Sequence, residues 1–127
     1  MPFEVISTNR SPRPTAAYSQ ATKFGALLFT AGQIPLDPKT GEVVGATIEE
    51  QTKQTMENLK NLLDAAGYSL SDVLKVLIFL KRTDDFAGMN RVYSDYFKVN
   101  PPARSTVQAG MVNPKLLIEL EAVACRN

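Results

Sequence analysis

The chain has 127 residues, of which 44% are hydrophobic and 21% are charged, and its formal net charge is +1. This length predicts a single domain spanning residues 1–127, with a core large enough to need no disulfide or metal. The near-neutral charge gives no reason to expect a nucleic-acid or membrane partner.

Two residue counts exclude whole classes of chemistry. Histidine is absent, which rules out Ser-His-Asp and Cys-His nucleophiles and the usual zinc sites. Cys125 is the only cysteine, so no intrachain disulfide forms and a reducing, cytoplasmic location is expected. The longest apolar run, residues 76–80, is too short for a bilayer, and no secretory signal is expected at the N-terminus. Catalysis would have to use arginine, lysine, carboxyl, hydroxyl and backbone groups with water.

The N-terminal third is predicted to form short strands. Alternating and β-branched residues predict strands at residues 3–7, 16–20 and 26–31, and a proline-rich loop at residues 9–14. The third strand ends at Gly32, where Gly32-Gln33-Ile34-Pro35 turns the chain.

Two helices are predicted in the middle of the chain, with one strand between them. The first spans residues 47–66, with a capping box of Thr47 and Glu50 at its start and Gly67 just beyond its end. Residues 73–81 are almost continuously apolar, which predicts a central strand buried on both faces. The second helix is predicted to be capped by Asp84-Asp85, and its inner side includes Phe86, Met89, Val92, Tyr93, Tyr96 and Phe97.

The last two predicted strands carry the candidate chemistry. Period-two alternation places Arg104 and Thr106 on one side of the first strand. In the second strand Glu119 and Glu121 share a side with apolar neighbours, where a carboxylate needs a counter-charge or a raised pKa. If the two strands pair, Arg104 is the expected partner of a carboxylate.

Six strands and two helices predict a two-layer α+β domain with both helices on one face of the sheet. The other face also carries apolar side chains, so it is expected to be buried against another copy of the chain. We therefore expect a homo-oligomer, with a closed ring as the simplest arrangement.

An ordered set of motifs across essentially the whole chain resembles the RidA/YjgF (reactive intermediate deaminase) family. The motifs are Ala31-Gly32-Gln33-Ile34-Pro35, Pro38-Lys39-Thr40-Gly41, Ala65-Ala66-Gly67, Asp85-Phe86 with Asn90, Pro102-Ala103-Arg104-Ser105 and Ile118-Glu119-Leu120-Glu121-Ala122-Val123-Ala124.

The resemblance implies a chorismate-mutase-like fold, a homotrimer and sites in clefts between subunits. It also implies an enzyme without a cofactor that hydrolyses 2-iminobutanoate and 2-iminopropanoate, with their enamines such as 2-aminoacrylate, to 2-oxo acids and ammonia. These unstable compounds leave pyridoxal-phosphate dehydratases, so the expected role is control of metabolite damage.

The resemblance also implies roles for individual residues. Arg104 would bind the substrate carboxylate, Glu121 would handle the attacking water and Tyr18 would line the pocket. Gly32, with no side chain, would allow close approach, while Thr106 and Asn90 would contribute polar groups. Glu119 is the rival carboxylate, and Glu121 is preferred by its motif position alone.

Several positions depart from the usual family pattern: Ala16-Ala17 before Tyr18, Ala31 before Gly32, Thr106 in place of a common cysteine, and residues 111–114. These departures put the preferred substrate in question more than the reaction class. Two alternatives therefore stay open: a small-carboxylate-binding regulatory module without turnover, and an RNA-directed role as a ribonuclease or translation inhibitor.

Overall fold

The structure is a computed structural model that describes residues 2–127. Its strands are β1 (Glu4–Ile6), β2 (Ala21–Phe24), β3 (Leu27–Thr30), β4 (Val73–Leu80), β5 (Ala103–Gln108) and β6 (Ile118–Cys125). Its α-helices are α1 (Ile48–Ala65) and α2 (Phe86–Tyr96), and one-turn 3₁₀ helices occur at Leu70–Asp72 and Thr83–Asp85.

The six strands form one mixed sheet in the order β1-β2-β3-β6-β4-β5. Neighbouring strands are antiparallel except β4 and β5, which run parallel because α2 crosses over between them. Buried side chains of β3, β4 and β6 pack with those of α1 and α2 in one core cluster. The predicted two-layer α+β architecture, with a long fourth strand inside the sheet, is confirmed.

The first helix begins and ends as the sequence predicts. Thr47 Oγ1 accepts the Glu50 N–H at 3.2 Å, and Glu50 Oε1 accepts the Thr47 N–H at 3.2 Å, which completes the capping box. Gly67, just beyond the helix, has a φ of +84°, a backbone conformation that glycine adopts without strain.

The predicted second strand was misplaced, because residues 16–20 lie in irregular backbone and β2 begins at Ala21. The Tyr18 N–H donates to Ala16 O at 2.9 Å and folds the segment into a turn. The buried Gln20 side chain is committed to the loop before it, donating to the carbonyls of Thr8, Ser11 and Pro12.

One expectation about α2 was also wrong. The Asp85 side chain does not cap α2; its carboxylate pairs with Arg82, and the 3₁₀ turn Thr83–Asp85 leads into the helix. Only one face of β4 is fully buried, since Leu74 is exposed on the other face, where Leu77 and Phe79 are half-buried. The apolar residues on this second face of β4 therefore belong to a sheet face that no helix of this chain covers.

Candidate functional site

Arg104 lies on β5, at the edge of the sheet, and its side chain reaches across the helix-covered face. Its guanidinium carbon is 4.9 Å from the ring centroid of Tyr93 and 5.7 Å from that of Phe86, both on α2. Among residues 2–127 it forms no ion pair with a carboxylate. A guanidinium held by aromatic faces keeps its N–H edges free for a bidentate acid.

Thr106 and Asn90 lie on the two elements that hold this arginine, β5 and α2. Thr106 follows it by two residues on the same face of β5, and its buried Oγ1 has no hydrogen-bond partner in the described chain. Thr106 also lines a cavity of about 290 Å³ together with Phe86. Asn90 is four residues after Phe86 and three before Tyr93, which places all three on one face of α2. We call Arg104, Thr106 and Asn90 the arginine half-site.

Tyr93 fixes the position of the guanidinium. It is buried in the core, and burial raises the pKa of its hydroxyl to about 12 although the neighbouring Arg104 acts to lower it. The ring is therefore neutral at physiological pH and serves as a stacking surface. It packs in turn on Phe97, with the two ring centroids 4.9 Å apart.

A second group of candidates lies around the turn after β3. Tyr18 and Gly32 both line a cavity of about 60 Å³, and Tyr18 is half-exposed at its edge. Gly32 lies against Glu119 of β6, since a β-carbon at position 32 would overlap Glu119 Oε2. We call Tyr18, Gly32 and Glu119 the carboxylate half-site.

The Glu119 carboxyl group on β6 is perturbed by its surroundings. Partial burial, and secondarily the charge of Glu121, raise the pKa of Glu119 above its usual value. Glu121 is exposed on the same face. The contact with Gly32 thus favours Glu119, whereas motif position alone favours Glu121. The register that places Glu119 beside the Gly32-Gln33 turn is a tertiary feature with no local sequence signal.

The expected pairing of Arg104 with Glu121 is wrong for a single chain, because β4 lies between their strands. Arg104 is opposite Val76, a buried core residue, whereas Glu121 is opposite Leu77 on the other face of β4. The two half-sites therefore lie on opposite faces of the sheet.

The sheet face that carries Glu119 and Glu121 is apolar and uncovered by helices. The strand register places exposed hydrophobic side chains of β1, β2, β3 and β5 on this face, namely Val5, Phe24, Leu27, Phe29 and Val107. An exposed apolar surface of this kind marks an interaction site.

Within residues 2–127 no group of three or more histidine, cysteine or acidic side chains is arranged to hold a metal ion. None of the described helices combines the length and apolar character needed to cross a membrane.

This chain is similar to known proteins of one family. The family model described as Endoribonuclease L-PSP matches residues 8–126. A RutC family protein of Pyrococcus horikoshii is 54% identical over 95% of this chain and 96% of its own. Escherichia coli TdcF, provisionally named a reactive intermediate deaminase, is 36% identical over 98% of both chains.

Solved structures agree in fold. The structure of Escherichia coli TdcF with bound serine matches with a TM-score of 0.92, covering 98% of both chains at 36% identity. The Rid-family protein YyfA of Yersinia pestis matches with a TM-score of 0.94 at 36% identity, covering 98% of this chain and all of that one. The chorismate-mutase-like fold expected from the sequence is thereby confirmed.

Proposed function

This chain belongs to the RidA/YjgF family, and on that premise we propose that it hydrolyses small 2-imino acids to 2-oxo acids and ammonia. The expected substrates are 2-iminobutanoate and 2-iminopropanoate, with 2-aminoacrylate in equilibrium with the latter. They would come from pyridoxal-phosphate dehydratases in the cytoplasm, and no cofactor is required.

The observation that carries the proposal is the state of Arg104. Four other arginines of this chain are paired with carboxylates, whereas Arg104 is stacked between Tyr93 and Phe86 with no acid partner among the described residues. An aromatic cluster that keeps such a cation available is suited to a ligand carboxylate.

The reaction needs no strong nucleophile, because a protonated C=N carbon is already electrophilic. Water adds to C2 while a carboxylate accepts one of its protons. The nitrogen gains that proton from the carboxyl group, the C–N bond breaks and ammonia leaves, and the carboxylate takes the proton of the new hydroxyl group as the C=O bond forms. Glu119 is the proposed proton carrier, since its raised pKa brings it closer to neutral pH, where such transfer is efficient.

The two half-sites lie on opposite sheet faces, so we propose that each site combines Arg104 of one chain with Glu119 and Tyr18 of a neighbour. The open apolar face supplies the surface for that association. A homotrimer gives three equivalent clefts and closes the ring. In this arrangement Gly32, Thr106 and Asn90 contact the substrate, and Glu121 is an outer carboxylate on the same face.

The function is tested by coupling the protein to threonine dehydratase in the presence of semicarbazide, which competes for the free imine. We expect the protein to accelerate 2-oxobutanoate formation and to suppress the semicarbazone. The Arg104→Ala variant should lose this effect, and Arg126→Ala, which removes an exposed ion pair with Asp72, serves as the control. Hydrolysis no faster than in buffer would refute the proposal.

A second candidate is carboxylate binding without turnover. TdcF was solved with serine bound, which favours a small amino or oxo acid as ligand for this fold. Saturable, Arg104-dependent binding of 2-oxobutanoate in a protein that fails the imine assay would select this candidate. Because the matching family model is described as an endoribonuclease, RNA cleavage is assayed in parallel as a third outcome.

A further inference from the structure

The arginines of this chain divide into two groups. Of the six in the sequence, four form ion pairs: Arg10 with Asp64, Arg82 with Asp85, Arg91 with Glu49 and Arg126 with Asp72. Arg104 and Arg13 form none within residues 2–127. Arg104 is accounted for by the proposed substrate carboxylate, so Arg13 is the remaining arginine without an acid partner.

Arg13 is carried by a firmly held loop. It stands between Pro12 and Pro14, whose rings restrict the backbone on both sides. The buried Ser11 hydroxyl donates to Gln33 Oε1 at 2.8 Å. The buried Gln20 amide donates to Ser11 O at 3.1 Å and Pro12 O at 2.9 Å. The loop is thus pinned to the turn that follows β3, and the backbone that carries the exposed Arg13 side chain is held at a defined place.

That place belongs to the carboxylate half-site. Arg13, Tyr18 and Gly32 line the same cavity of about 60 Å³. Gly32 is also the residue whose backbone lies against the Glu119 carboxyl. The volume accommodates a few water molecules or one acid group, and is too small for a whole amino-acid-sized ligand.

We propose that Arg13 binds a second acid group of the substrate, so that this protein prefers dicarboxylic 2-imino acids to monocarboxylic ones. The inference rests on the proposed function, because it takes Arg104 as the binding group for the first carboxylate. One carboxylate lies on Arg104 of one chain, the C=N carbon faces Glu119 of its neighbour, and the distal carboxylate enters the cavity beside Arg13. The upstream reaction is then one in which another enzyme, with a flavin or nicotinamide as the electron acceptor, oxidises the C–N bond of an acidic amino acid to C=N.

The chemistry of Arg13 suits this role. A guanidinium presents a planar set of donors that matches a carboxylate, and charge-assisted pairs are stronger than neutral ones. In a partly enclosed cleft such a contact is worth roughly tenfold to a hundredfold in affinity.

The test uses product acids as probes, so that binding is measured without turnover. Calorimetric titration at fixed ionic strength compares 2-oxoglutarate with 2-oxobutanoate for the wild type, Arg13→Gln, Arg13→Lys and Lys39→Gln. Lys39→Gln is the matched control, since Lys39 lines the adjoining groove but not the small cavity, and the charge change is the same.

We expect the wild type to bind 2-oxoglutarate at least about tenfold more tightly than 2-oxobutanoate. Arg13→Gln should abolish that ratio, Arg13→Lys should retain part of it, and Lys39→Gln should retain it fully. A wild type without the preference, or an Arg13→Gln variant that keeps it while circular dichroism shows it folded, overturns the inference.

The imine assay separates this result from the proposed function. If the wild type hydrolyses 2-iminobutanoate but shows no Arg13-dependent preference for the diacid, the second-acid subsite is wrong and the deaminase proposal stands. If the preference is present but no imine is hydrolysed faster than in buffer, the subsite stands and the deaminase proposal is wrong.

Discussion

Gly32 lies so close to the Glu119 carboxyl group that a β-carbon at position 32 would overlap Glu119 Oε2. The contact is fixed by backbone hydrogen bonds beside it: the Gln33 N–H donates to Leu120 O at 2.6 Å, and the Leu120 N–H donates to Gln33 O at 3.0 Å. The Glu119 carboxyl group can therefore occupy its position only if residue 32, where the turn after β3 meets β6, is a glycine.

This contact predicts the effect of Gly32→Ala. The new methyl group displaces the end of a flexible side chain, so the fold should survive while the carboxyl group moves by about an ångström. A displacement of that size costs on the order of a hundredfold in turnover. The imine assay and the melting temperature are measured together. Gly110→Ala is the control, because a β-carbon there meets nothing within 4 Å. Full activity of Gly32→Ala would show that the Glu119 carboxyl group takes no part in the reaction.

Glu119→Gln should lose activity and gain stability at neutral pH. Burial raises the folded-state pKa of Glu119. The contribution of Glu119 to the stability of the fold is therefore complete below its ordinary pKa of 4.5, and it is lost as the pH rises through the raised pKa. The variant should therefore melt above the wild type at pH 7, and the gap should close toward pH 4. Turnover should fall by about a hundredfold or more.

The companion variant Glu121→Gln decides between the two glutamates. Glu121 is exposed, and the carboxyl group next to Gly32 is that of Glu119, so the loss of Glu121 should cost less than about tenfold in turnover. If Glu121→Gln proves the more damaging variant, motif position was the better guide and the contact between Gly32 and Glu119 is structural only.

The sequence predicts the faces of these strands but not their neighbours. Period-two alternation correctly assigns Glu119 and Glu121 to one face, because side-chain direction is a local property of a strand. The order of strands is set by the crossover through α2, which inserts β4 between β5 and β6. The pairing of Arg104 with Glu121 failed for that reason, since it assumed that strands adjacent in sequence are adjacent in the sheet.

The surroundings of Arg104 and Arg13 lie further beyond the reach of sequence patterns. The stacking of Arg104 on Tyr93 depends on how α2 packs over the edge strand. In the sequence Arg13 is not distinguishable from any other cation in a loop. Only the hydrogen bonds of Gln20 and Ser11 in the structure show that its loop is held in place. Both are tertiary relationships between segments distant in the chain, with no local signal.

Replacing Arg104 with lysine should damage activity although the charge is kept, and less than replacing it with alanine. Lysine offers a point charge where a planar fork stacks between two aromatic rings, so bidentate contact with a carboxylate is lost. We expect kcat/KM to fall by about tenfold for Arg104→Lys and about a hundredfold for Arg104→Ala. Arg126→Lys, at an exposed ion pair, is the control and should match the wild type. An Arg104→Lys enzyme with normal kinetics would argue against bidentate binding.

Phe29→Lys should disrupt assembly and abolish activity together. Phe29 is 45% exposed on the apolar sheet face, so a charge there should leave the isolated fold intact but would be buried in an interface at high cost. Light scattering measures the mass and circular dichroism the fold. Val112→Lys, at a fully exposed loop position, is the matched control. An active, folded monomer of Phe29→Lys would show that one chain suffices for catalysis.

Mixing two inactive variants should restore activity if each site takes residues from two chains. Arg104→Ala retains Glu119, and Glu119→Gln retains Arg104, so some interfaces of a mixed oligomer contain both native groups. Random one-to-one mixing, achieved by co-refolding, makes roughly a quarter of the interfaces native in a cyclic assembly. We expect about that fraction of wild-type turnover, whereas the same proteins mixed without refolding should stay inactive as long as their subunits do not exchange. If co-refolding restores nothing although mass spectrometry shows mixed oligomers, the two residues belong to separate sites.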